Sequence, residues 1–390
     1  MNEVRSLNLL FGGDVAPIGT FSSIIEARSG EIWGDARELI VNSDFKMFNL
    51  EAPICDEGQA ITKIGPAIRS LPSSLEALTS IGLDAVCLAN NHIFDFGSEG
   101  LSQTLSALKN RGILHVGAGL DRPSAEAPLR LDFEDRKVSI FAFAEQEFNT
   151  SLDQQAGSAL LDPLLIAPKI LSEREKTDVL VVCFHGGNEY FSYPRPSLRN
   201  LCHFIIDLGA DAVVGHHPHV PGPYEIYKGK PIVYSLGNLV FDTESSPPMW
   251  EEGYFASLHL SFDANSLSTI KIELHPYTQS AEQGGVTLMQ GAKKEDFLSR
   301  ISELRENLEE RPEVWLKEWE KFVAKKQLQT IIDLSSPVRF RGFWRLMKIP
   351  FLHHILFPKS RCLHRLNMLR CESHRELVIG TLLKLSDQEE

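Results

Sequence analysis

Three histidines lie within four positions near the middle of the chain, in residues 215–219 (GHHPH). Imidazole is the commonest metal-binding side chain, and it binds in its neutral form. The apolar residues 212–214 predict a strand just before this stretch, and side chains two positions apart on an extended backbone point the same way. The spacing of His217 and His219 therefore favours a metal site at the end of that strand.

Four other apolar runs also lead into side chains with oxygen or nitrogen donor atoms. They are residues 7–11 before Asp14, residues 45–50 before Glu51, residues 85–89 before Asn91 and His92, and residues 179–184 before His185. Taken singly, each has an ordinary explanation, such as turn chemistry or a packed core histidine. Because ligands of α/β proteins collect outside the carboxyl ends of the strands, we expect all five ends to converge on one site.

The donor set indicates the kind of centre. Asp, Glu, Asn and His offer hard or borderline donor atoms, which suit Mn, Fe or Zn in a two-metal hydrolytic centre rather than a thiolate-bound structural zinc. We expect Glu51 to bridge the two ions, because a carboxylate can hold both while the neutral ligands cannot. Asn91 and His185 would complete the shell of one ion, and Asp14 with one of the paired histidines would serve the other.

His92 follows Asn91 directly, so along a regular strand it points away from the ion that Asn91 binds. We expect His92 to meet the substrate instead, protonating the leaving group or stabilising charge on the transferred oxygens. Asp95, three residues further on, is expected to orient the His92 ring. The alternative is that His92 only supports the ligands and touches no substrate.

Short apolar runs recur through the first two thirds of the chain, and they are nearly continuous rather than alternating. This pattern is typical of strands that are covered on both faces. Stretches with helical periodicity lie between several runs, and glycines such as Gly82 and Gly209 follow them, where helices commonly end. The alternation predicts an α/β domain with a layered sheet, closed by an antiparallel hairpin over residues 254–276.

The pattern changes after residue 285, where two stretches with helical apolar stripes follow. We therefore predict a first domain over residues 1–285 and a helical C-terminal extension over residues 286–390. Within the extension, residues 337–371 carry many Arg and Lys among aromatic and aliphatic residues, and no acidic residue. Such a mixture indicates peripheral contact with an anionic membrane or docking of a protein partner. The alternative is a helical appendage whose apolar side packs on the domain.

Composition and charge exclude several classes of protein. The 390 residues are 43% apolar and 23% charged, as in ordinary globular chains, and the formal net charge of -13 argues against a general nucleic-acid binder. No apolar run approaches the roughly 20 residues of a membrane-spanning helix. The six cysteines show no CxxC spacing, so a reducing, cytoplasmic location is expected.

Longer motifs give the chain a specific resemblance. The matching blocks are GGDV (12–15), NLEAP (49–53), LANNHIFDFG (88–97), HGGNEY (185–190), GHHPHV (215–220) and GKPIVYSLGN (229–238). In this order they resemble the capsule-synthesis protein CapA family, associated with poly-gamma-glutamate capsules, within the calcineurin-like metallophosphoesterase superfamily.

The resemblance implies a four-layer α/β/β/α sandwich with a dinuclear centre at the top of two sheets. It implies metal ligands at Asp14, Glu51, Asn91, His185, His217 and His219, and a catalytic histidine at His92. One position departs from the wider superfamily: this chain has Ala16 where the superfamily has a histidine. CapA-like proteins also lack that histidine. The first ion therefore lacks one expected ligand, which Asn49, His216 or water could replace.

Three functions fit these residues. The leading interpretation is a metal-dependent hydrolase, phosphoesterase-like, acting on a small molecule or polymer in capsule or exopolymer biosynthesis. The second keeps the same centre but cleaves or transfers glutamyl amide bonds. The third is a non-catalytic or weakly active subunit of a capsule assembly system, which the alanine at position 16 and the basic segment 337–371 favour.

Overall fold

The computed structural model describes residues 6–335, apart from 64, 152, 154, 244–246, 264–265 and 283, together with residues 345 and 348. The chain divides into two compact units, Met1–Trp319 and Glu320–Glu390, and the description below concerns the first. The boundary that the composition predicts near residue 285 stays a prediction. Residues 337–371 lie outside the described residues except at 345 and 348, so the expected membrane or partner contact of this segment also stays a prediction.

Sixteen strands are formed by the described residues. They are β1 (Ser6–Ala16), β2 (Phe45–Leu50), β3 (Ala85–Cys87), β4 (Leu114–Val116), β5 (Ala118–Gly119), β6 (Leu129–Phe133), β7 (Arg136–Ala144), β8 (Gly157–Ser158), β9 (Val179–His185), β10 (Ala212–His216), β11 (Tyr224–Tyr227), β12 (Lys230–Val233), β13 (Asn238–Phe241), β14 (Glu252–Asp263), β15 (Ser266–Ser280) and β16 (Gly285–Leu288).

Nine α-helices accompany the strands in the same part of the chain. They are α1 (Thr20–Arg28), α2 (Ala36–Val41), α3 (Leu75–Ser80), α4 (Gly97–Asn110), α5 (Arg122–Ala125), α6 (Pro163–Arg174), α7 (Pro196–Asp207), α8 (Gly291–Glu309) and α9 (Pro312–Ser335), with short 3₁₀ helices at Glu31–Trp33 and Pro72–Ser74. None of these helices is both long and apolar enough to cross a bilayer.

Two large sheets face each other. The first has the order β16-β15-β14-β1-β2-β3-β4, with β13 also paired to β1, and the second has the order β11-β12-β10-β9-β7-β6. Strand β1 changes partners along its length. Its first half pairs antiparallel with β14, while Asp14 and the residues after it pair in parallel with β13. This change brings β13 next to the end of β1, where the site lies.

The core explains why the central strands are continuously apolar. Side chains from both sheets, such as Phe11, Met47, Val181 and Val214, meet in one buried cluster between the sheets. On the outer face of the first sheet, α1 to α4 pack against residues such as Phe48. Helices α6 and α7 contact β9 and β10 of the second sheet. The predicted α/β architecture is confirmed, and the layers run helix, sheet, sheet, helix.

Local signals placed the helix ends correctly. Gly82 and Gly209 follow α3 and α7 with φ of 60° and 114°, which an L side chain adopts only at a cost. Helix α6 begins at Pro163, where Asp162 caps it by accepting the backbone N–H of Leu164 at 2.8 Å. The predicted hairpin over residues 254–276 is also confirmed, as β14 and β15.

Candidate metal centre

The first sheet supplies two carboxylates. Strands β1 and β2 are parallel neighbours in which Asp14 lies opposite Asn49, and Glu51 directly follows the end of β2. The pairing register shifts between Gly12 and Asp14, and the strand continues two residues beyond Asp14, to Ala16. Both carboxylates are fully buried, which is rare for ionisable side chains unless they are paired with another charge.

The second sheet and the loop after it supply four buried histidines near the site. His185 ends β9, opposite His216 at the end of β10, and His217 and His219 follow in the loop. The extended backbone that the sequence predicts through His219 is wrong, because His217 and His219 have φ of 101° and 59°. These left-handed residues turn the loop sharply and bring both rings next to His185 and Glu51.

Two groups of donor atoms result, and Glu51 belongs to both. One contains Glu51, His185 and His217, and the other contains Asp14, Glu51 and His219. Within each group the donor atoms lie within 4.8 Å of one another. Glu51 Oε1 is 3.7 Å from His185 Nε2 and 3.6 Å from His219 Nε2. Residues far apart along the chain are therefore brought together as the sequence predicts.

Asn91 lies at the first of these groups. Its Oδ1 is 3.0 Å from His185 Nε2, and His217 Nδ1 is 3.0 Å from the same nitrogen. Strand β3 ends at Cys87, so Asn91 and His92 stand in a turn and not on the regular strand that was assumed for them. Among the described residues, the hydrogen bonds of His92 are with Lys63, Asn90 and Asp95 and with no member of the donor groups.

His92 and Asp95 form a hydrogen-bonded pair beside the donor groups. His92 Nδ1 donates to Asp95 Oδ2 at 2.7 Å, and Asp95 is fully buried. The other carboxylate oxygen of Asp95 pairs with the Lys63 ammonium, whose side chain is only 6% exposed. Ile68 donates its backbone N–H to Asp95 Oδ2 at 2.8 Å, so three groups fix this carboxylate. The predicted orienting role of Asp95 thus has a geometric basis.

The electrostatics of the donor groups suit a cation. Both oxygens of Glu51 and Oδ1 of Asn49 are buried without a hydrogen-bond partner among the described residues. Burial raises the pKa of Glu51 well above its usual value, and it lowers the pKa of His217 to about 3. Unsatisfied buried oxygens next to neutral imidazoles are the arrangement that a bound divalent ion would satisfy.

Asp14 and His219 behave as an ion pair. Burial alone would lower the pKa of His219, but the charges of Glu51 and Asp14 and the hydrogen bond with Asp14 raise it to about 10. Burial opposes ionisation of Asp14 in the same way, yet the His219 hydrogen bond and the nearby histidines lower its pKa. Without a cation, a proton on His219 therefore balances the charge of Asp14.

Metal binding should consequently release protons. His219 holds a proton near neutral pH and must lose it to bind a cation, and burial raises the pKa of Glu51 and so opposes the ionised form that binds metal; metal affinity should therefore rise with pH. We expect release of about one proton per loaded chain at pH 7, from His219. Isothermal titration calorimetry with Mn²⁺ in buffers of different ionisation enthalpy measures this number. An affinity that stays constant between pH 6 and pH 8 would contradict the assignment of these ligands.

Neither Ala16 nor His216 adds a ligand to the Asp14 side. Ala16 is fully buried in a small apolar cluster with Ala52, Phe241 and Trp250. His216 Nε2 lies 3.1 Å from the backbone oxygen of Gly12, so this ring links the two sheets, and it belongs to neither donor group. Asn49 remains, because its Nδ2 donates to Asp14 at 2.8 Å while its Oδ1 has no partner.

Some residues at the site were not predicted as site residues. Lys63 comes from the loop between β2 and α3, which shows no periodicity and no motif around it. Trp250 packs its ring 5.2 Å from that of His219, and Asn238 Oδ1 lies 3.0 Å from His219 Nδ1. Asn238 belongs to a block that resembles the CapA family, so its motif was a signal, whereas Lys63 and Trp250 offered none.

Comparison with known proteins gives the chain its family. The family model "Bacterial capsule synthesis protein PGA_cap" matches residues 8–243. A probable polyglutamine synthesis accessory protein of Mycobacterium tuberculosis is 32% identical over 227 residues, covering 54% of this chain and 60% of that protein. The PGA biosynthesis protein CapA of Bacillus subtilis is 31% identical over 251 residues, covering 60% and 63%. The matches thus span less than two thirds of these relatives.

Among solved structures, the calcineurin-like phosphoesterase YfkN from Bacillus subtilis is 17% identical with a TM-score of 0.44, covering 77% of this chain and 97% of that one. The family model covers more than half of the chain, including every residue of the two donor groups. The chain therefore belongs to the bacterial capsule synthesis protein family PGA_cap.

Proposed function

We propose that this chain is a metal-dependent hydrolase of phosphoester bonds that holds two divalent cations, with manganese, iron and zinc as the ions that suit its donors. The placement of Glu51 is the observation that carries the proposal. Its buried carboxylate is common to both donor groups, and neither oxygen has a hydrogen-bond partner among the described residues. A carboxylate in this position is costly unless a cation neutralises it.

The donors divide into two sets around this carboxylate. The sets are Glu51, His185, His217 and Asn91 on one side, and Asp14, Glu51 and His219 on the other. When bound, two such ions polarise a phosphoryl oxygen and lower the pKa of water. The chain keeps these donors buried and fixed between neighbouring strand ends, so little reorganisation is needed when the substrate arrives.

His92 would act on the leaving group. Its Nδ1 donates to Asp95, so Nε2 is the nitrogen that remains for the substrate. A proton on Nε2 can be given to the departing alcohol oxygen. Lys63 and the Ile68 N–H hold the Asp95 carboxylate, which in turn keeps the His92 ring in one orientation. This chain of contacts is the positioning that proton transfer requires.

The names of the relatives support a biological setting for this activity. The curated relatives are named for capsule biosynthesis, PGA biosynthesis and polyglutamine synthesis. We propose that the hydrolase serves the assembly of a capsule or exopolymer of the poly-gamma-glutamate kind. Its substrate would carry phosphate groups, either on a precursor or on the polymer.

A second candidate function is an accessory subunit that binds metal without turnover. The observation in its favour is the apolar packing of Ala16, which places no donor atom on the Asp14 side at that point. An ion with fewer protein ligands is held less firmly, and an ion lost from the centre cannot activate water. Such a subunit would use the same fold to support polymer assembly.

Metal analysis followed by an assay separates these functions. Purified full-length protein should carry two ions per chain and hydrolyse 4-nitrophenyl phosphate when manganese is added. Bound metal with cleavage of a γ-glutamyl polymer but of no phosphoester would favour the glutamyl-bond alternative. Bound metal with neither activity would favour the accessory subunit, and absence of bound metal would overturn the proposal.

A further inference from the structure

The backbone around the donor groups is unusually strained. Seven non-glycine residues have left-handed φ values among the described residues. Two of these, Glu134 and Lys228, sit in the tight turns between β6 and β7 and between β11 and β12. The other five lie in loops near the donor groups: Phe148, Tyr190, His217, His219 and Met249. Strained residues of this kind cluster where a function requires them.

Three of these five residues are large, apolar and exposed. Phe148, Tyr190 and Met249 are 48%, 44% and 36% exposed, so burial does not repay the strain of their backbones. Tyr190 itself lies near the donor groups, and Phe148 and Met249 each follow or precede a residue that contacts Asn91 or His219. Glu147 approaches Asn91 Nδ2 at 3.4 Å, Tyr190 lies near His219, and Trp250 packs on His219.

Tyr190 has the clearest position of the three. Its ring centroid is 6.5 Å from that of His219 and 6.3 Å from that of Trp250. Its backbone N–H donates to the backbone oxygen of Pro218 at 2.9 Å, which ties its left-handed conformation to the loop that carries His217 and His219. Trp250 is 5% exposed and donates its indole N–H to the backbone oxygen of Phe241, so its position is fixed. Of these two neighbouring rings, that of Tyr190 is the one exposed to solvent.

Negative charge near the donor groups limits which chemical groups can bind against the Tyr190 ring. Glu189, the neighbour of Tyr190, is exposed, and the carboxylate of Glu147 lies close to Asn91. Two acids in these positions disfavour a carboxylate in the part of the substrate that lies beside Tyr190. They do not repel an uncharged ring that lies flat against a tyrosine, which gains dispersion and apolar burial from the contact.

We propose that Tyr190 is a specificity-determining residue, which holds the ring of a phosphoester's alcohol while the phosphoryl group lies at the donor groups. This inference rests on the proposed function, and it names the substrate class as phosphomonoesters or phosphodiesters whose alcohol carries a flat ring. Small aliphatic phosphoesters bind at the same donors without this contact. Tyr190 therefore acts on affinity and leaves metal binding unchanged.

Binding of two non-hydrolysable phosphonates tests the assignment. Calorimetry of the full-length, manganese-loaded protein should show phenylphosphonate binding about tenfold more tightly than methylphosphonate, the size expected for one aromatic contact. Tyr190→Ala should remove this difference, and Tyr190→Phe should keep it. Phe204→Ala, at a 40% exposed aromatic position on α7, is the matched control and should keep the difference as well.

The outcomes distinguish this inference from the function beneath it. Equal affinity of the two phosphonates for the wild-type protein, or an unchanged difference in Tyr190→Ala, overturns the role of Tyr190 and leaves the phosphoesterase proposal intact. If neither phosphonate binds to the metal-loaded wild type, the proposed function is overturned, and the role of Tyr190 with it. Metal content, measured on each variant, should equal that of the wild type.

Discussion

Glu51→Gln should lose manganese-dependent phosphoesterase activity by about 10³-fold or more. The carboxylate belongs to both donor groups, so its loss weakens both half-sites at once. Metal ions contribute several kcal/mol to stabilising charge in the transition state, and about 1.4 kcal/mol corresponds to each tenfold in rate. Metal analysis of the purified variant should show fewer than two ions per chain, in contrast to the wild type.

The same substitution should have the opposite effect on the metal-free protein. A buried carboxylate without hydrogen-bond partners destabilises the fold, and an amide of the same shape is less costly to bury. We expect the metal-free variant to melt about 2 °C higher than metal-free wild type, a change of about 1 kcal/mol in the free energy of unfolding. Manganese should raise the melting temperature of the wild type by more than that of Glu51→Gln.

Glu189→Gln is the matched control for this experiment. It removes one negative charge from an exposed side chain close enough to affect the pKa of Glu51, but Glu189 belongs to neither donor group. It should retain two ions and the manganese-dependent rise in melting temperature. Equal stabilisation of Glu51→Gln and wild type by manganese would show that Glu51 is not a ligand.

His92→Ala should retain both ions and lose about 10²-fold to 10⁴-fold in kcat, which is the usual contribution of a general acid. The ions should stay bound because His92 lies beside the donor groups and belongs to neither of them. The measurement is metal content together with turnover of 4-nitrophenyl phosphate at saturating manganese. Because 4-nitrophenolate leaves readily, a phosphoester of an alkyl alcohol should show a larger loss than the aryl ester.

His259→Ala provides the comparison for His92→Ala. His259 lies on β14 with its side chain 42% exposed and pairs with Glu273, away from both donor groups. Its removal should leave turnover and metal content unchanged. If His92→Ala loses metal in parallel with activity, His92 serves the ligands; if it keeps full turnover, His92 has no catalytic role.

Much of this site could be predicted because it is built at strand ends. Apolar runs such as those before Glu51 and His185 are too continuous for exposed strands, so they indicate a covered sheet. The carboxyl ends of parallel strands meet at one edge, which makes the donors after them neighbours without any knowledge of distance. Structure and prediction agree on which residues come together, namely Asp14, Glu51, Asn91, His185, His217 and His219.

The remaining features depend on irregular backbone and on long-range pairing, which no local pattern encodes. His217 and His219 reach the site through left-handed turns and not through strand alternation, so the residues were right and the geometry assumed for them was wrong. Lys63 lies in a loop without periodicity. The backbone N–H groups of Ile61 and Ile68 in that loop both donate to Asp95, which places Lys63 beside it. The parallel pairing of β13 with the end of β1 likewise joins segments more than 200 residues apart.

Anomalous diffraction from crystals of the full-length protein grown with manganese would test whether these scattered side chains share two cations. Two anomalous peaks about 3.5–4 Å apart, one on each side of the Glu51 carboxylate, are the result expected for a shared bridge. One should lie against His185 and His217, and the other against Asp14 and His219. Crystals in which manganese binds elsewhere, or in which no peak touches Glu51, would contradict the account.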